Sequence, residues 1–452
     1  MNDRASAAPL AVVVLAAGQG LRMKSKTPKV LHPLAGRPMI GQVLDTVGAL
    51  SPTRIVVVVG AGGEQVAEAV APHPTVVQEP QRGTGHAVLQ ARDALGGFTG
   101  DILVLYGDTP LIHADTLAAM IAARHGPADP AVVVLGFRPD DPGAYGRLVV
   151  GPGEKLEAIV EFKDADAEQR DIGLCNSGVM AIDGAVAFEL LDKIGCDNAK
   201  DEYYLTDIVG LARDAGRQCA VIEAPPDELL GINGRADLAR AEAAMQERLR
   251  ARAMAGGATL LDPATTWLAF DTRLGRDVVI GPNVFFGPGV TIEDDVEVRG
   301  FCHIEGAHVR AGATVGPFAR LRPGADIGRG ARIGNFVEVK AATIEEGAKV
   351  SHLAYVGDAR VGAGANLGAG TITCNYDGFT KSHTDIGAGA FIGSNTALVA
   401  PVVIGDGAII GAGSVIGKDV PADALAITRA PQKNIDRGAT RLRRRRRGRA
   451  KD

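Results

Sequence analysis

The chain has no hydrophobic run long enough to cross a membrane and no closely spaced cysteine pair. A membrane span needs about eighteen consecutive apolar residues, and no stretch of the sequence approaches that length. The apolar run at 10–17 leads into a glycine loop and lacks the basic leader of a signal peptide. The five cysteines form no C-x-x-C pair, and their odd number suits free thiols in a reducing compartment rather than a zinc site. These absences predict a soluble cytoplasmic protein that is not a membrane protein.

Negative charge dominates all but the end of the chain. The formal net charge is −5, but the last sixteen residues hold nine Lys and Arg and one Asp, so residues 1–436 carry −13. An acidic body argues against a nucleic-acid-binding face. We interpret residues 441–449, R-L-R-R-R-R-R-G-R, as a disordered cationic tail, with non-specific contact to RNA or anionic lipid as the alternative.

Two kinds of periodicity divide the 452 residues, which are too many for one compact core. The first 230 residues alternate β-rich runs with helical stretches at 84–95 and 114–124, which is typical of an α/β domain with a largely parallel sheet. The predicted strands are 11–16, 54–59, 75–78, 101–106 and 131–137. Residues 235–255 then favour one long helix, which Gly256-Gly257 ends.

After about residue 262, an aliphatic-Gly pair recurs mostly in steps of six, as in Ile280-Gly281, Phe286-Gly287, Ile327-Gly328 and Ile333-Gly334. Three such hexads make one triangular coil whose aliphatic side chains point into the prism. The known outcome of this repeat is a left-handed parallel β-helix. The longest interruption, at 371–384, predicts an inserted polar loop.

A glycine loop follows the first predicted strand. Gly18 and Gly20 let backbone N–H groups approach a phosphate, while Arg22 and Lys29 supply positive charge beside them. The alternative is an ordinary strand-to-helix turn with solvated basic residues. Because ligands of parallel sheets bind at the carboxyl ends of strands, we expect this loop to share a cleft with Gly107-Asp108.

Three polar residues have two interpretations each on sequence grounds alone. Asp108, at a strand end, is either a helix N-cap or a Mg²⁺ ligand, because Mg²⁺ takes one or two protein oxygens besides phosphate and water. Asn233 by itself favours a turn, since Asn-Gly is a common turn dipeptide. His352 lies beside Ser351 and near Tyr355, and is either a solvated histidine or a general base.

Motifs in both halves carry a family resemblance. They include L-A-A-G-x-G-x-R-M (15–23), L-Y-G-D-x-P-L (105–111), E-Y-Y-L-T-D (202–207), N-F-V-E-V-K (335–340), S-H-L-A-Y-V-G-D (351–358) and G-A-G-T-I-T-C-N-Y-D-G (368–378). In this order and spacing, from about residue 10 to 432, the chain resembles the bifunctional bacterial N-acetylglucosamine-1-phosphate uridylyltransferases / glucosamine-1-phosphate N-acetyltransferases.

The resemblance implies a domain order and a set of ligands. The expected domains are an α/β nucleotidyltransferase domain at 1–232, a linker helix at 233–257, a left-handed β-helix acetyltransferase domain at 258–430 and a basic tail at 431–452. The expected co-substrates are UTP and acetyl-coenzyme A, acting on N-acetylglucosamine-1-phosphate and glucosamine-1-phosphate respectively. Mg²⁺ and a homotrimer are implied as well.

The resemblance also implies residue roles in the first site. Arg22 and Lys29 would act as catalytic cations, and Asp108 and Asn233 would bind Mg²⁺. The expected nucleotide-binding residues are Leu15, Ala16, Ala17, Gly18, Lys29, Gln78, Gly83, Thr84, Tyr106 and Gly107. Those for the sugar phosphate are Gly146, Glu161, Asn176 and Asn233. Leu21 stands where the family usually carries Thr, so a hydroxyl contact is missing there.

In the second site, the resemblance makes His352 the general base. The expected sugar-phosphate residues are Arg322, Lys340, Tyr355 and Asn366, and those at acetyl-coenzyme A are Asn375, Tyr376, Ser394, Ala412 and Arg429, with Asn375 and Tyr376 also orienting the amino sugar. Two alternatives stay open: a nucleotidyltransferase for another sugar with a non-catalytic β-helix, and a non-catalytic scaffold subunit.

Overall fold

The computed structural model describes residues 8–152 and 155–449. The chain divides into two compact units, one up to Leu249 and one from Arg250 onward. The first unit is built on a nine-stranded sheet, and the second consists of short parallel strands. The predicted change from an α/β domain to a repeat domain is therefore confirmed.

The sheet of the first unit is mixed and mostly parallel. Its strands are Leu10–Ala16 (β1), Arg54–Gly60 (β2), Thr75–Gln78 (β3), Asp101–Tyr106 (β4), Val132–Phe137 (β5), Arg147–Val150 (β6), Leu156–Val160 (β7), Cys175–Asp183 (β8) and Cys219–Glu223 (β9). They follow the order β9-β5-β8-β4-β1-β2-β3, with β6 on β8 and β7 on β6. The antiparallel pairs are β8 with β4, β5 and β6, and β6 with β7.

Helices cover the sheet on both sides, so β1 at its centre is buried throughout. Alternate residues of β1 belong to two separate apolar clusters, Val13 to one and Val12 to the other. This is why the strand is a continuous aliphatic run rather than an alternating one. The helices are Met39–Gly48 (α1), Glu64–Ala69 (α2), Thr84–Leu89 (α3), Arg92–Leu95 (α4), Ala114–Arg124 (α5), Ala167–Arg170 (α6), Gly184–Leu191 (α7) and Ile208–Asp214 (α8).

The structure differs from one helix prediction. The stretch 84–95 is two helices, because tight turns close at residues 90 and 91, where the backbone N–H groups of Gln90 and Ala91 donate to the carbonyls of Ala87 and Val88. The predicted long helix is present as Arg235–Ala255 (α9). It ends before Gly256-Gly257, where Gly257 has a φ of 101° that favours glycine.

The second unit is a three-sided parallel β-helix, in agreement with the left-handed β-helix expected from its hexads. Face A comprises Thr259–Leu260, Val279–Ile280, Glu297–Val298, Thr314–Val315, Arg332–Asn335, Lys349–His352, Asn366–Leu367, Phe391–Ile392, Ile409–Ile410 and Leu425–Ala426. Face B comprises Phe285–Phe286, His303–Ile304, Arg320–Leu321, Ile372–Cys374, Ala397–Val399 and Val415–Ile416. Face C comprises Arg273–Leu274, Thr291–Ile292, Ala307–Val309, Ala325–Ile327, Thr384–Ile386 and Val402–Ile404. Glu338–Ile344 and Tyr355–Val361 run from face B into face C.

Successive coils stack in a nearly constant register. Val279 pairs with Glu297, eighteen residues on, which is three hexads. Between Asn366 and Phe391 the step is twenty-five residues, because the inserted loop extends from Cys374 to Thr384. The predicted loop is therefore confirmed.

The aliphatic residue of each hexad, such as Ile280 or Ile333, is buried inside the prism.

The basic end of the chain differs from the disordered tail that was predicted. Gly438–Arg449 form a helix (α10), which agrees with the high helix propensity of arginine, and the side chains of residues 441–446 are exposed. Residues 450–452 of the predicted tail lie outside the described residues. Across the described residues no helix is long and apolar enough to span a membrane, and all five cysteines are free thiols as predicted.

Close contact between coils predicts the effect of adding one methyl group. A Cβ at Gly281 would lie 2.6 Å from the backbone nitrogen of Gly300, so Gly281→Ala should lower the free energy of unfolding of the second unit by about 1–3 kcal/mol. Trp267 is the only tryptophan of the chain and lies in the second unit, so its fluorescence during urea unfolding measures this change. A Cβ at Gly417 would lie 3.9 Å from its nearest neighbour, so Gly417→Ala should leave the midpoint of urea unfolding unchanged. Equal midpoints for both variants would contradict the packing argument.

Candidate active sites

The first candidate site is a cavity of about 360 Å³ at the carboxyl ends of β1, β3 and β4. Its lining comprises Leu15, Ala16, Ala17, Gly18, Lys29, Val30, Gln78, Gln81, Gly83, Thr84, Ala87, Tyr106, Asp108 and Glu202. The structure therefore brings together the residues that the resemblance assigned to the nucleotide, except Gly107. This residue lies behind the wall, where its N–H donates to the carbonyl of Leu15.

The two glycines of the loop after β1 differ in what they require. Gly20 has a φ of 62°, and a Cβ there would lie 2.5 Å from the Cβ of Lys29. Any other side chain at Gly20 would thus be strained and would displace Lys29. Around Gly18, by contrast, the space within 4 Å of a Cβ position is open, and this residue lines the cavity. Gly18 therefore leaves room for a ligand at the backbone.

One cation and two oxygen ligands converge at the edge of this cavity. The Lys29 ammonium forms an ion pair with Asp108, and its Nζ lies 3.5 Å from Asn233 Oδ1. Asp108 is not a helix N-cap, because the next helix begins at Ala114 with His113 at its N-cap. Asn233 does lie in a turn, which Asp237 fixes by accepting from the N–H groups of Asn233 and Gly234. A carboxylate and an amide oxygen directed at one positive charge form a donor set that suits Mg²⁺.

The far wall of the cavity depends on contact between two distant segments. The N–H of Gly85 donates to the carbonyl of Tyr203, and the N–H of Tyr203 donates to the carbonyl of Arg82. Gly83, with a φ of 107°, lies so close that a Cβ would come within 2.6 Å of the Tyr203 carbonyl oxygen. The motif at 202–207 therefore builds the wall that holds Gly83 and Thr84.

Gln78 is held in place by two acceptors. Its Nε2 donates to the carbonyl of Gly83 at 2.8 Å and lies 3.2 Å from Nδ1 of His86. Burial, together with the positive charge of Arg82, lowers the pKa of His86, which favours the neutral imidazole that can accept at Nδ1. The Oε1 atom of Gln78 has no partner among the described residues and remains available to a ligand.

The residues assigned to the sugar phosphate lie on neighbouring strands beside the cavity. The N–H of Asn176 donates to the carbonyl of Gly146, and Gly146 lies against the Glu161 carboxyl group. Burial raises the pKa of Glu161. Gly178 leaves room for the Tyr106 ring, since a Cβ at this glycine would lie 2.6 Å from the ring. These contacts place the residues predicted to bind the sugar phosphate beside the nucleotide cavity.

The second candidate site surrounds His352, at the corner between faces A and B. Its imidazole Nδ1 lies 2.7 Å from Oδ1 of Asn335, one coil away. A cavity of about 370 Å³ opens beside this pair, with Arg299, Arg332 and Ser351 in its lining. His352 is thus an exposed histidine with one fixed partner.

A row of predicted coenzyme residues continues from His352 along the same corner. The N–H of Gly370 donates to the carbonyl of His352, and the next coils bring Ser394 and then Ala412 to this corner, with the N–H of Gly413 donating to Ser394. Arg429 donates to the carbonyl of Ala412 at 2.6 Å. Because paired strands lie about 4.8 Å apart, four coil steps from His352 to Arg429 cover roughly 19 Å.

The predicted phosphate-binding residues lie at a different corner. Arg322 and Lys340 directly follow the paired strand segments of face B and lie at the corner between faces B and C. Lys381 of the inserted loop lies there too, and the neighbouring ammonium group of Lys340 lowers the pKa of Lys381. Two adjacent ammonium groups form a site that favours an anion.

The inserted loop is held by its own polar groups. Asn375 donates its amide to Asp358, which keeps the Asn375 side chain on the prism. Asp377 accepts from the N–H groups of Thr380 and Phe379, and these hydrogen bonds lower the pKa of Asp377. Tyr376 is exposed, with its hydroxyl donating to the carbonyl of Gly378 at 2.7 Å. The loop therefore presents Tyr376 outward beside Lys340 and Lys381.

Comparison with known proteins gives the family. Residues 12–172 match the MobA-like NTP transferase domain, and residues 271–306 and 383–418 match the bacterial transferase hexapeptide repeat. The chain is 64% identical over 434 residues to the bifunctional protein GlmU of Paramagnetospirillum magneticum, and this alignment covers 96% of each chain. It is 65% identical to that of Rhodospirillum rubrum over 93% of this chain and 94% of the relative. The chain belongs to the GlmU family of bifunctional proteins.

Membership of the GlmU family makes the chain a bifunctional transferase. The unit that contains the MobA-like domain is the nucleotidyltransferase, and the hexapeptide unit is the acyltransferase. Neither a non-catalytic β-helix nor a scaffold subunit, the two alternatives on sequence grounds, agrees with this result. The site residues themselves are tested by none of these comparisons and remain predictions.

The structure also adds residues that the sequence did not single out. Gln81 donates to the carbonyl of Ala17, and Glu202 lines the same cavity. Glu202 and Asn335 begin the quoted motifs E-Y-Y-L-T-D and N-F-V-E-V-K, which were the available signals, whereas nothing in the sequence pointed to Gln81 or Lys381. Conversely, the Arg22 side chain is exposed, forms no hydrogen bond or ion pair within the described residues and does not line the cavity.

Proposed function

We propose that the chain makes UDP-N-acetylglucosamine in two steps on two sites. The second unit transfers the acetyl group of acetyl-coenzyme A to glucosamine-1-phosphate, and the first unit transfers the uridylyl group of UTP to N-acetylglucosamine-1-phosphate. The observation that carries this proposal is that each unit has its own polar site, with machinery suited to one of these reactions. The free cysteines suit the reducing cytoplasm as the place where both reactions occur.

In the first site, the cavity wall binds UTP. The free Oε1 of Gln78 accepts from the uracil N–H, and the backbone of Gly83 and Thr84 borders the base. The loop Leu15–Gly18 offers N–H groups to the phosphates. Lys29 supplies a positive charge at the open edge, and Arg22 reaches the phosphates by rotating from its exposed position.

Asp108 and Asn233 would hold Mg²⁺, because their oxygens already converge on the ammonium of Lys29. When bound, the ion neutralises charge on the phosphates of UTP and holds them in one orientation. Gly146, Glu161 and Asn176 orient the sugar phosphate. One of its oxygens then forms a bond to the α-phosphorus of UTP, the bond from that phosphorus to the bridging oxygen breaks, and pyrophosphate leaves.

In the second site, His352 removes a proton from the amino group of glucosamine-1-phosphate. The amine nitrogen bonds to the thioester carbon, and the bond from that carbon to sulfur breaks, releasing coenzyme A as the thiol once it takes up the proton. Ser394, Ala412 and Arg429 hold the coenzyme along the corner that leads to His352. Arg322, Lys340 and Lys381 hold the sugar phosphate, and Tyr355, Asn366, Asn375 and Tyr376 orient the sugar.

One prism cannot complete this second site. His352 lies before face B, and Gly357, which pairs with Lys340 of the preceding coil, lies at its far end. The corner of the base and the corner of the phosphate cations are therefore about 15–20 Å apart along an extended strand. A monosaccharide phosphate is too short to contact both. We therefore infer that His352 of one chain meets the cations of a second chain, in a homotrimer with three equivalent sites.

An exposed apolar column supports this assembly. Phe301, Phe318 and Phe336 stack along the corner of His352 with ring centroids 4.9 and 5.2 Å apart, and Leu353 continues the column. Each of these residues has a positive φ and directs its side chain outward at the corner. A second copy that covers the column would remove this apolar surface from water.

Asp108→Asn should lower uridylyl transfer by about 10²-fold or more, because the carboxylate charge that holds Mg²⁺ is lost. Acetyl transfer should stay at the wild-type rate. Pyrophosphate and free thiol are measured separately on the same protein. Asp140→Asn changes an exposed carboxylate of the same unit and serves as the control. Wild-type pyrophosphate release by Asp108→Asn would show that the metal assignment is wrong.

His352→Ala should reduce thiol release by about 10²–10⁴-fold, as expected for loss of a general base. Uridylyl transfer to preformed N-acetylglucosamine-1-phosphate should persist. The exposed His303 of the same prism provides the matched control, and His303→Ala should keep both activities. A parallel loss of both activities in His352→Ala would indicate misfolding rather than loss of the base.

Mixed trimers of His352→Ala and Lys340→Ala chains should recover acetyl transfer that neither variant has alone. Each shared site needs His352 from one chain and Lys340 from the next, so random mixing leaves roughly a quarter of the sites intact. Thiol release by co-expressed, co-purified chains measures the recovery. Mixtures that stay as inactive as the separate variants, although both chains are present in one trimer, would place the whole site on one prism.

A further inference from the structure

Asn335 makes two contacts with the turn that carries His352. Asn335 ends one strand of face A and His352 ends the next, and the parallel register sets the two residues opposite each other. The side-chain Oδ1 of Asn335 lies 2.7 Å from Nδ1 of His352. Its backbone carbonyl also accepts from the N–H of Leu353 at 3.1 Å. Both the ring and the backbone of the turn are therefore tied to one residue.

The chemistry of the asparagine oxygen selects one tautomer of the imidazole. A carbonyl oxygen accepts hydrogen bonds and cannot donate, so the hydrogen of the neutral ring must sit on Nδ1. The lone pair then lies on Nε2, the nitrogen that faces away from Asn335. A ring free to turn would instead distribute its hydrogen over both nitrogens and several orientations.

The charged side chains that line the cavity beside this pair are cationic. Arg299 and Arg332 line the cavity beside His352, and within the described part of the chain no carboxylate is among its lining residues. Arg299 itself is paired with Glu297, at 3.0 and 3.2 Å. His352 thus has a neutral acceptor where many catalytic histidines have an acidic one, so the contact fixes direction without adding negative charge.

We propose that Asn335 is a positioning residue for the acetyl transfer: it holds His352 as the Nδ1–H tautomer, with Nε2 directed at the substrate amine. This inference rests on the proposed role of His352 as the base. In this role Asn335 acts through the histidine ring.

Two substitutions at position 335 separate positioning from packing, measured as thiol release by the full-length protein over a range of pH. Asn335→Leu keeps the approximate size but removes the acceptor. It should lower kcat by about 10–100-fold and change KM for either substrate less than about twofold. Asn335→Asp restores an acceptor and adds a charge. It should recover most of kcat and move the acidic limb of the pH profile to higher pH, because a negative neighbour favours the imidazolium and raises the pKa of His352.

The same chain provides a matched control. His308 lies 2.7 Å from Glu293 on the same prism, and Glu293→Gln should leave both kcat and the pH profile of acetyl transfer unchanged. Unfolding midpoints of all variants check that the second unit is intact.

The inference is overturned if Asn335→Leu keeps kcat within about twofold of wild type, or if Asn335→Asp neither recovers activity nor moves the acidic limb. His352→Ala, assayed in parallel, distinguishes failure of the proposed base from failure of its positioning by Asn335. Full activity of His352→Ala would remove the proposed base itself. An inactive His352→Ala beside a fully active Asn335→Leu would remove only the role of Asn335.

Discussion

Parallel strand register is the constraint on which both sites depend. In the first unit, β1 and β4 run side by side in the same direction, so the glycine loop after one strand and Asp108 after the other emerge at the same edge. In the second unit the same rule acts between coils, and it sets Asn335 opposite His352. A residue that ends a strand is therefore placed by backbone hydrogen bonds rather than by side-chain packing.

The register also separates groups that the proposed acetyl transfer uses together. Residues of successive coils at one corner stay aligned, which extends the row from His352 to Arg429. Residues at two corners of one coil stay apart, which keeps Lys340 away from His352. A rigid prism cannot close this gap by bending, since its aliphatic residues are buried inside every coil. In the proposed function, assembly of several prisms brings the corners together.

Much of the architecture could be predicted from the sequence, because it depends on local periodicity. The aliphatic run of β1 and the recurring aliphatic-Gly pairs gave the sheet and the prism directly. The resemblance supplied the residue roles that periodicity cannot give. The division of 84–95 into two helices does not follow from the sequence, because both parts have the same helical composition. The basic end is a helix where a block of like charges predicts disorder, because arginine has a high helix propensity.

Contacts between distant segments were the other part that sequence could not supply. Lys29 and Asn233 are 204 residues apart, and only the folded turn before α9 brings the amide oxygen to the ammonium group. Lys381 reaches Lys340 because the inserted loop folds back on the prism, which its polar composition did not indicate. Gln81 likewise contacts the Ala17 carbonyl through a side chain at an otherwise ordinary loop position.

A crystal structure of the full-length protein with glucosamine-1-phosphate and coenzyme A would test the central claim most directly. The account predicts one amino sugar between two chains, with its amine at His352 Nε2 of one chain and its phosphate at Lys340 and Lys381 of the next. A sugar whose amine and phosphate are both held by a single prism would contradict it.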